Sequence, residues 1–181
     1  MPNISWGKPD IFFGAQGSTF GANTFDFEKA ATPAEDSTQL TGQQGEKVEA
    51  KIEGGAAEDT KYKDPTLELV MKIRMAKEDS GSLRRLPTAL YKSGSTTEYT
   101  KDKVAVCVIP ENHAAPGFFC AACSVSIIET YTASEGAFWE ITLSINVPTS
   151  GKAIQWGQYY ATEGTSSNAG KFKITAGVQA A

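Results

Sequence analysis

The sequence predicts a mainly β protein: an antiparallel β-sandwich or partly closed barrel with one short helix, a long loop and an N-terminal arm. Three observations carry this. Leu67, Leu69, Met71, Ile73 and Met75 share one parity, as do Trp139, Ile141, Leu143, Ile145 and Val147, and alternation with period 2 is the mark of a half-buried strand. The run Lys103-Val-Ala-Val-Cys-Val-Ile109 is almost continuously apolar, as in a central strand covered on both faces. Finally, 17 Gly, 14 Ser and 18 Thr in 181 residues suit a chain of many turns and strands better than a helical one.

Each element has its own justification. Residues 1–27 carry Trp6, Ile11, Phe12, Phe13, Phe20, Phe25 and Phe27 among glycines. They read as an ordered aromatic arm with turns at Gly14, Gly17 and Gly21, docked on its own core or on a neighbour, because disordered tails rarely carry so many aromatics. Residues 28–45 are polar and read as one long connection, a length usually ordered by function or by a partner. In residues 46–53, Val48, Ala50 and Ile52 alternate with Lys47, Glu49, Lys51 and Glu53, and Gly54-Gly55 follows. This predicts a strand over the competing helix. Residues 56–65 read as a link to the strand over 66–77, and 78–82 as a turn. Leu83, Leu86 and Leu90 have helical spacing, so the one short helix is expected near Pro87, a residue suited to the first helical turn. After a polar loop at 93–102 come the central strand 103–109, a turn through Pro110–Gly117, and the hairpin 118–132/137–147. Strands at 153–161 and 171–178 complete seven or eight, within one domain over 28–181.

Charge and composition narrow the function. Lys plus Arg is 17 against 21 Asp plus Glu, the opposite of the basic balance expected of a nucleic-acid-binding face. The single histidine, His113, rules out a two-histidine metal site within one chain and reads as a loop residue. The carboxylates lie in polar loops and on alternating strand faces, where charges are normally solvated. The glycines follow no phosphate-loop spacing. No enzyme is expected and no cofactor. No run is long and apolar enough for a spanning helix, and the N-terminus lacks the pattern of a secretory signal. With the odd set Cys107, Cys120 and Cys123, this points to a reducing cytosol and free buried thiols. Cys120 and Cys123 form a C-x-x-C. In a regular strand, however, residues i and i+3 face opposite ways, so the two read as separate core residues rather than a redox pair or half a zinc site.

The run from Glu35 through Ser37-Thr38-Gln39-Leu40-Thr41 and Gly45-Glu46-Lys47-Val48-Glu49-Ala50-Lys51-Ile52-Glu53-Gly54-Gly55 resembles tail tube (major tail) proteins of tailed bacteriophages and prophages of Bacteroides-type bacteria. The resemblance continues into the Leu67–Met75 strand and covers under a third of the chain. It implies a virion structural protein of the tail, assembled in the host bacterial cytoplasm. Such subunits form homo-oligomeric, six-membered rings in which inner strands join into one barrel; the rings stack into a tube with other tail proteins, and DNA passes transiently through the lumen at ejection. It further implies no membrane anchor, and subunit contacts at Thr38, Leu40, Gly45, Lys47, Glu49, Lys51 and Glu53, with Phe12, Phe13 and Phe20 of the arm. An acidic wall would let phosphates slide without sticking. Obligate contacts of this kind bury on the order of 2,000–5,000 Å². Two other readings stand beside it: a capsid decoration or neck protein, and a carbohydrate-binding β-sandwich whose platform would use Trp139, Trp156, Tyr159 and Tyr160.

Overall fold

The structure, a computed structural model, describes residues 7–16, 27–51, 53–55, 57–149, 151–160 and 171–174. Among them are eleven strands: β1 Asp10–Ala15, β2 Glu28–Lys29, β3 Gln39–Gln43, β4 Lys47–Lys51, β5 Ala57–Tyr62, β6 Thr66–Arg74, β7 Val104–Ile109, β8 Gly117–Thr132, β9 Gly136–Ile145, β10 Gln155–Tyr160 and β11 Lys171–Ile174. Every pairing between them is antiparallel. Nine form one sheet in the order β2-β1-β7-β8-β9-β6-β3, with β10 alongside β8 and β11 outside β10; β4 and β5 form a separate two-stranded sheet. The expected mainly β, sandwich-like architecture is present, without closure into a barrel.

β7 is the centre. All six of its residues are buried. Val104, Val106 and Val108 face a core shared with Ile11 and Phe13 of β1, Leu69, Met71 and Ile73 of β6, and Trp139, Ile141 and Leu143 of β9. That one cluster draws on strands from both halves of the sheet shows how the sheet folds over on itself. The opposite face of β7, Ala105, Cys107 and Ile109, is sealed by Phe119 and Phe27, whose rings meet edge to face at 6.0 Å. The apolar run 103–109 therefore folds as the twice-covered strand expected.

β8 makes the connection between the halves. Residues 118–123 pair with β7 on one edge, and residues 123–132 pair with β9 on the other. Cys123 is the hand-over, opposite both Val104 and Ile145. Beyond it, Gln155–Gly157 of β10 takes the edge of β8 that β9 has left.

Several expectations change. Residues 28–45 are not one unstructured connection: β2 pairs with β1, and β3 pairs with β6 over Gln39↔Val70 to Gln43↔Thr66. The arm is not separate over Asp10–Ala15. These residues form a strand between β2 and β7, with Ile11 and Phe13 docked on the chain's own core, and Gly14 lies in that strand rather than at a turn. Trp6, Gly17, Phe20, Gly21 and Phe25 lie outside the described residues. Residues 57–62 are a strand rather than a link. The expected helix is a single 3-10 turn, Thr88–Leu90, preceded by Pro87 at φ −52°. Leu86 and Leu90 are buried, but Leu83, at the same spacing, is 76% exposed; it sits in an isolated bridge to Lys77 closing the 78–82 turn. Three leucines here mark two inward plugs and one turn residue, not a helical face.

The 84–103 excursion is clamped to the β8–β9 hairpin by a polar chain. Trp139 Nε1 donates to Tyr99 Oη at 2.9 Å, and Tyr99 donates in turn to Glu129. Tyr91 stacks on Tyr99 at 5.8 Å. Burial, reinforced by the bond to Glu129 and only partly offset by the one from Trp139, pushes the Tyr99 phenol from 10.0 up to about 12.

Two predictions follow from this packing. Leu143→Ala, at a fully buried position, lowers stability by ~2–5 kcal/mol, whereas Leu83→Ala changes it by less than about 0.5 kcal/mol; urea denaturation of both variants checks this. Tyr99→Phe strands the Trp139 N–H and costs about 1–3 kcal/mol. The folded phenol holds its proton more tightly than the unfolded one, so its contribution is complete below pH 10.0 and is lost as pH climbs through about 12. Denaturation midpoints measured across that window fall more steeply for the native protein than for Tyr99→Phe.

Candidate functional site

The feature least explained by the core is the β4–β5 hairpin. Its strands pair only with each other among the described residues. Lys47 lies opposite Tyr62, Val48 opposite Lys61, Glu49 opposite Thr60 and Ala50 opposite Asp59, with a bulge after Ala50. The alternation read from Val48 and Ala50 does give a strand, but the apolar face meets no core: Val48 is 49% exposed and Ala50 is exposed, while Tyr62, opposite Lys47 on the other face, is 56% exposed. Alternation records a strand's parity, not whether anything covers it.

The hairpin's ends are built by glycine. At its base a Cβ on Gly45 would lie 2.0 Å from the Lys63 carbonyl oxygen, so only glycine lets the two chains close. There Lys63 N–H donates to the Glu46 carbonyl at 2.9 Å, and the Lys63 ammonium pairs with Glu46. At its tip Gly54 and Gly55 take φ of +102° and +86°, where a side chain would be strained.

Charges on the hairpin are satisfied along each strand. Glu49 pairs with Lys47 and, at 4.0 Å, with Lys51; Lys61 pairs with Asp59 at 3.3 Å. These pairs are exposed and worth ~0–1 kcal/mol each. Glu53 is exposed at the turn.

The structure thus brings Gly45, Lys47, Glu49, Lys51 and Glu53 together on one projecting element. Thr38 and Leu40 lie apart from it, at the start of β3. Leu40 packs against the main core. Thr38 Oγ1 is buried without a hydrogen-bond partner and lies in the wall of an open cleft of ≈ 1490 Å³. Phe13 is 1% exposed inside the chain's own core, which withdraws it from any subunit contact. Phe12 is half-buried on the second cluster.

The cleft has an apolar floor of Leu69, Val108 and Phe118, and a rim that includes Lys8, Glu35, Asp36, Arg74, Arg84 and Glu111. Two rim charges are committed within the chain: Arg84 Nε donates to Glu78 at 2.7 Å, and the Glu111 carboxylate accepts the Lys8 backbone N–H at 3.1 Å. Among the described residues no group of three or more His, Cys, Asp or Glu could hold a metal ion. His113 lies half-buried in the Glu111–Pro116 turn, which Asn112 shapes by accepting the Ala114 N–H at 3.1 Å.

Two features escaped sequence reasoning. The edge of β3 away from β6 is open among the described residues, and its residues Gln39-Leu-Thr-Gly-Gln43 carry no charge and no proline. Edge strands of monomers are normally blunted by such residues; the missing charge was the available signal. The second is the outward face of β8-β9-β6-β3, where Ser124, Ser144, Glu68 and Thr41 form one row and Ser126, Thr142, Val70 and Gln39 the next. Its cations are engaged, Lys72 by Glu140 at 3.1 Å and Arg74 over the Phe138 ring at 5.2 Å. Phe138, on the parity opposite to Trp139 and Ile141, is nonetheless buried at 5%. Trp139 cannot serve a sugar platform, being 7% exposed and bonded to Tyr99. Trp156 packs edge-on to Phe118 at 5.4 Å, and the side chains of Tyr159 and Tyr160 lie outside the described set.

Gly45→Ala is expected to open the hairpin base while leaving the main sheet intact, seen as lost amide protection at Lys47–Lys51 with an unchanged core. Single neutral replacements of Lys47, Glu49 or Lys51 shift the unfolding free energy of the isolated chain by less than about 1 kcal/mol.

No protein-family model matches the chain, and no curated protein matches it.

Proposed function

We propose that this protein is a structural subunit that polymerises through its own sheet edges, in the manner of a phage tail tube protein: rings of copies, stacked into a conduit. The observation that carries this reading is the β4–β5 hairpin. An isolated two-stranded hairpin is marginally stable at best in water, yet this one projects with Val48 and Tyr62 uncovered. Such an element gains stability when a second copy covers it. The edge of β3, uncharged and open among the described residues, leads directly into the hairpin and offers backbone donors and acceptors for strand addition. A contact from the edge of one copy to a different surface of the next is head-to-tail and generates a ring when the rotation closes.

Transport of DNA needs a wall that does not bind it. The outward face of β8-β9-β6-β3 suits this, since its hydroxyls and amides dominate and Lys72 and Arg74 are engaged by Glu140 and Phe138. The balance of 17 basic against 21 acidic residues works in the same direction.

Negative-stain electron microscopy beside size-exclusion chromatography tests the proposal. Rings or hollow tubes are expected from the native chain. A variant with residues 47–62 replaced by a short Gly/Ser linker should remain folded and monomeric. A native protein that stays monomeric at high concentration overturns the reading.

A further inference from the structure

In a regular strand Cys120 and Cys123 would point to opposite faces; here both belong to the same core cluster. The reason is a bulge. Cys120 lies opposite Val106 and Cys123 opposite Val104, with a register shift between. Four residues of β8 therefore face three of β7, the extra one falling at Ala121-Ala122. The bulge returns Cys123 to the side of Cys120 and gives the two the spacing of residues i and i+2, about 7 Å between Cα atoms. The Cys123 thiol is near enough to Cys120 to strengthen that residue's hold on its proton, and both residues are fully buried. Cys107, the remaining thiol, faces the other cluster on the far side of β7.

We infer that Cys120 and Cys123 form a redox-responsive dithiol that closes into a disulfide across the β8 bulge and locks the hand-over of β8 from β7 to β9. A separation of about 7 Å is beyond the 4.4–6.8 Å that a disulfide spans, so the bond forms only as the backbone of the bulge draws in, and a bond formed under tension is easily reduced. The buried product is neutral, whereas metal capture by the same pair would need two thiolates in an apolar core. The neighbouring Cys123 thiol, and after it burial, hold the Cys120 proton firmly in the closed state, so reaction proceeds through local opening of β8.

The oxidant is a low-molecular-weight disulfide. The Cys120 thiol loses its proton, and the thiolate attacks one sulfur of the oxidant and expels the other half as a thiolate, leaving a mixed disulfide. The Cys123 thiolate then attacks the protein-bound sulfur and expels the second half. Two electrons pass from the protein to the oxidant, and the two thiol protons end on the two released thiols. The ring closed is small, so little chain entropy is removed; the effect is local, on the bulge where the two halves of the sheet join. The inference does not depend on the proposed assembly function.

The test uses the full native chain, purified reduced and incubated with oxidised glutathione in native buffer and, in parallel, in denaturant. Residual thiols are then alkylated, and the protein is analysed by intact mass and peptide mapping. In native buffer the expected result is loss of two hydrogens, alkylation of Cys107 alone, a link within the Cys120–Cys123 peptide, and full reversal by reductant. The unfolded sample distributes among pairings. Cys107→Ser should leave the link intact. Three alkylatable thiols after prolonged native incubation, a stable glutathione adduct, or a link through Cys107 would each overturn the inference.

Discussion

The structure depends on burying one strand from both sides. β7 is apolar at every position, so neither face can meet water without cost, and covering both sets the placement of nearly everything else. One face requires β6 and β9 to fold over it, which the bulged, shared strand β8 makes possible. The other requires Phe27 and Phe119 as a lid, and so ties the segment after β1 to the sheet. At about 25 cal/mol per Å² of apolar surface, this double burial outweighs any ion pair at the surface, where each is worth less than about 1 kcal/mol.

β8 shows how a local irregularity carries a global task. A regular 16-residue strand would keep one partner on each edge along its length. By inserting one residue where β7 ends and β9 begins, β8 bends at the point of exchange. Bulges are known for re-aiming side chains as well as chain direction. Here the same insertion creates the core and places two thiols side by side. Polar contacts then secure the outer end of this arrangement, where Trp139, Tyr99 and Glu129 hold the long excursion between β6 and β7 against the hairpin.

Against this dense centre the β4–β5 hairpin stands out as a piece with charge pairs but no core, built on a glycine base that admits no side chain. Among the described residues, a domain that buries β7 so thoroughly yet leaves Val48, Tyr62 and the edge of β3 uncovered has distributed its surface unevenly. Such surface has its use in association.

What the sequence determined alone is whatever follows from periodicity within one segment. The strand character of 66–74, 104–109 and 117–145 is local, written in side-chain alternation or continuous apolarity, and so is the turn chemistry of Gly54-Gly55 and residues 78–82. What the tertiary structure decided is whatever needs a partner distant in the chain. Short strands such as Glu28–Lys29 and Gln39–Gln43 exist because β1 and β6 offer them hydrogen bonds, and no composition announces that. Leu83 and Val48 are exposed, and Phe138 buried, because coverage belongs to the neighbouring element rather than to the residue. Cys120 and Cys123 share a face because β7 sets a register that β8 can meet only with an extra residue. Of the candidate surface, the charged run with its glycines was legible; its isolation from the core, the open β3 edge and the thiol pair were not, since each is a statement about which strands lie beside which.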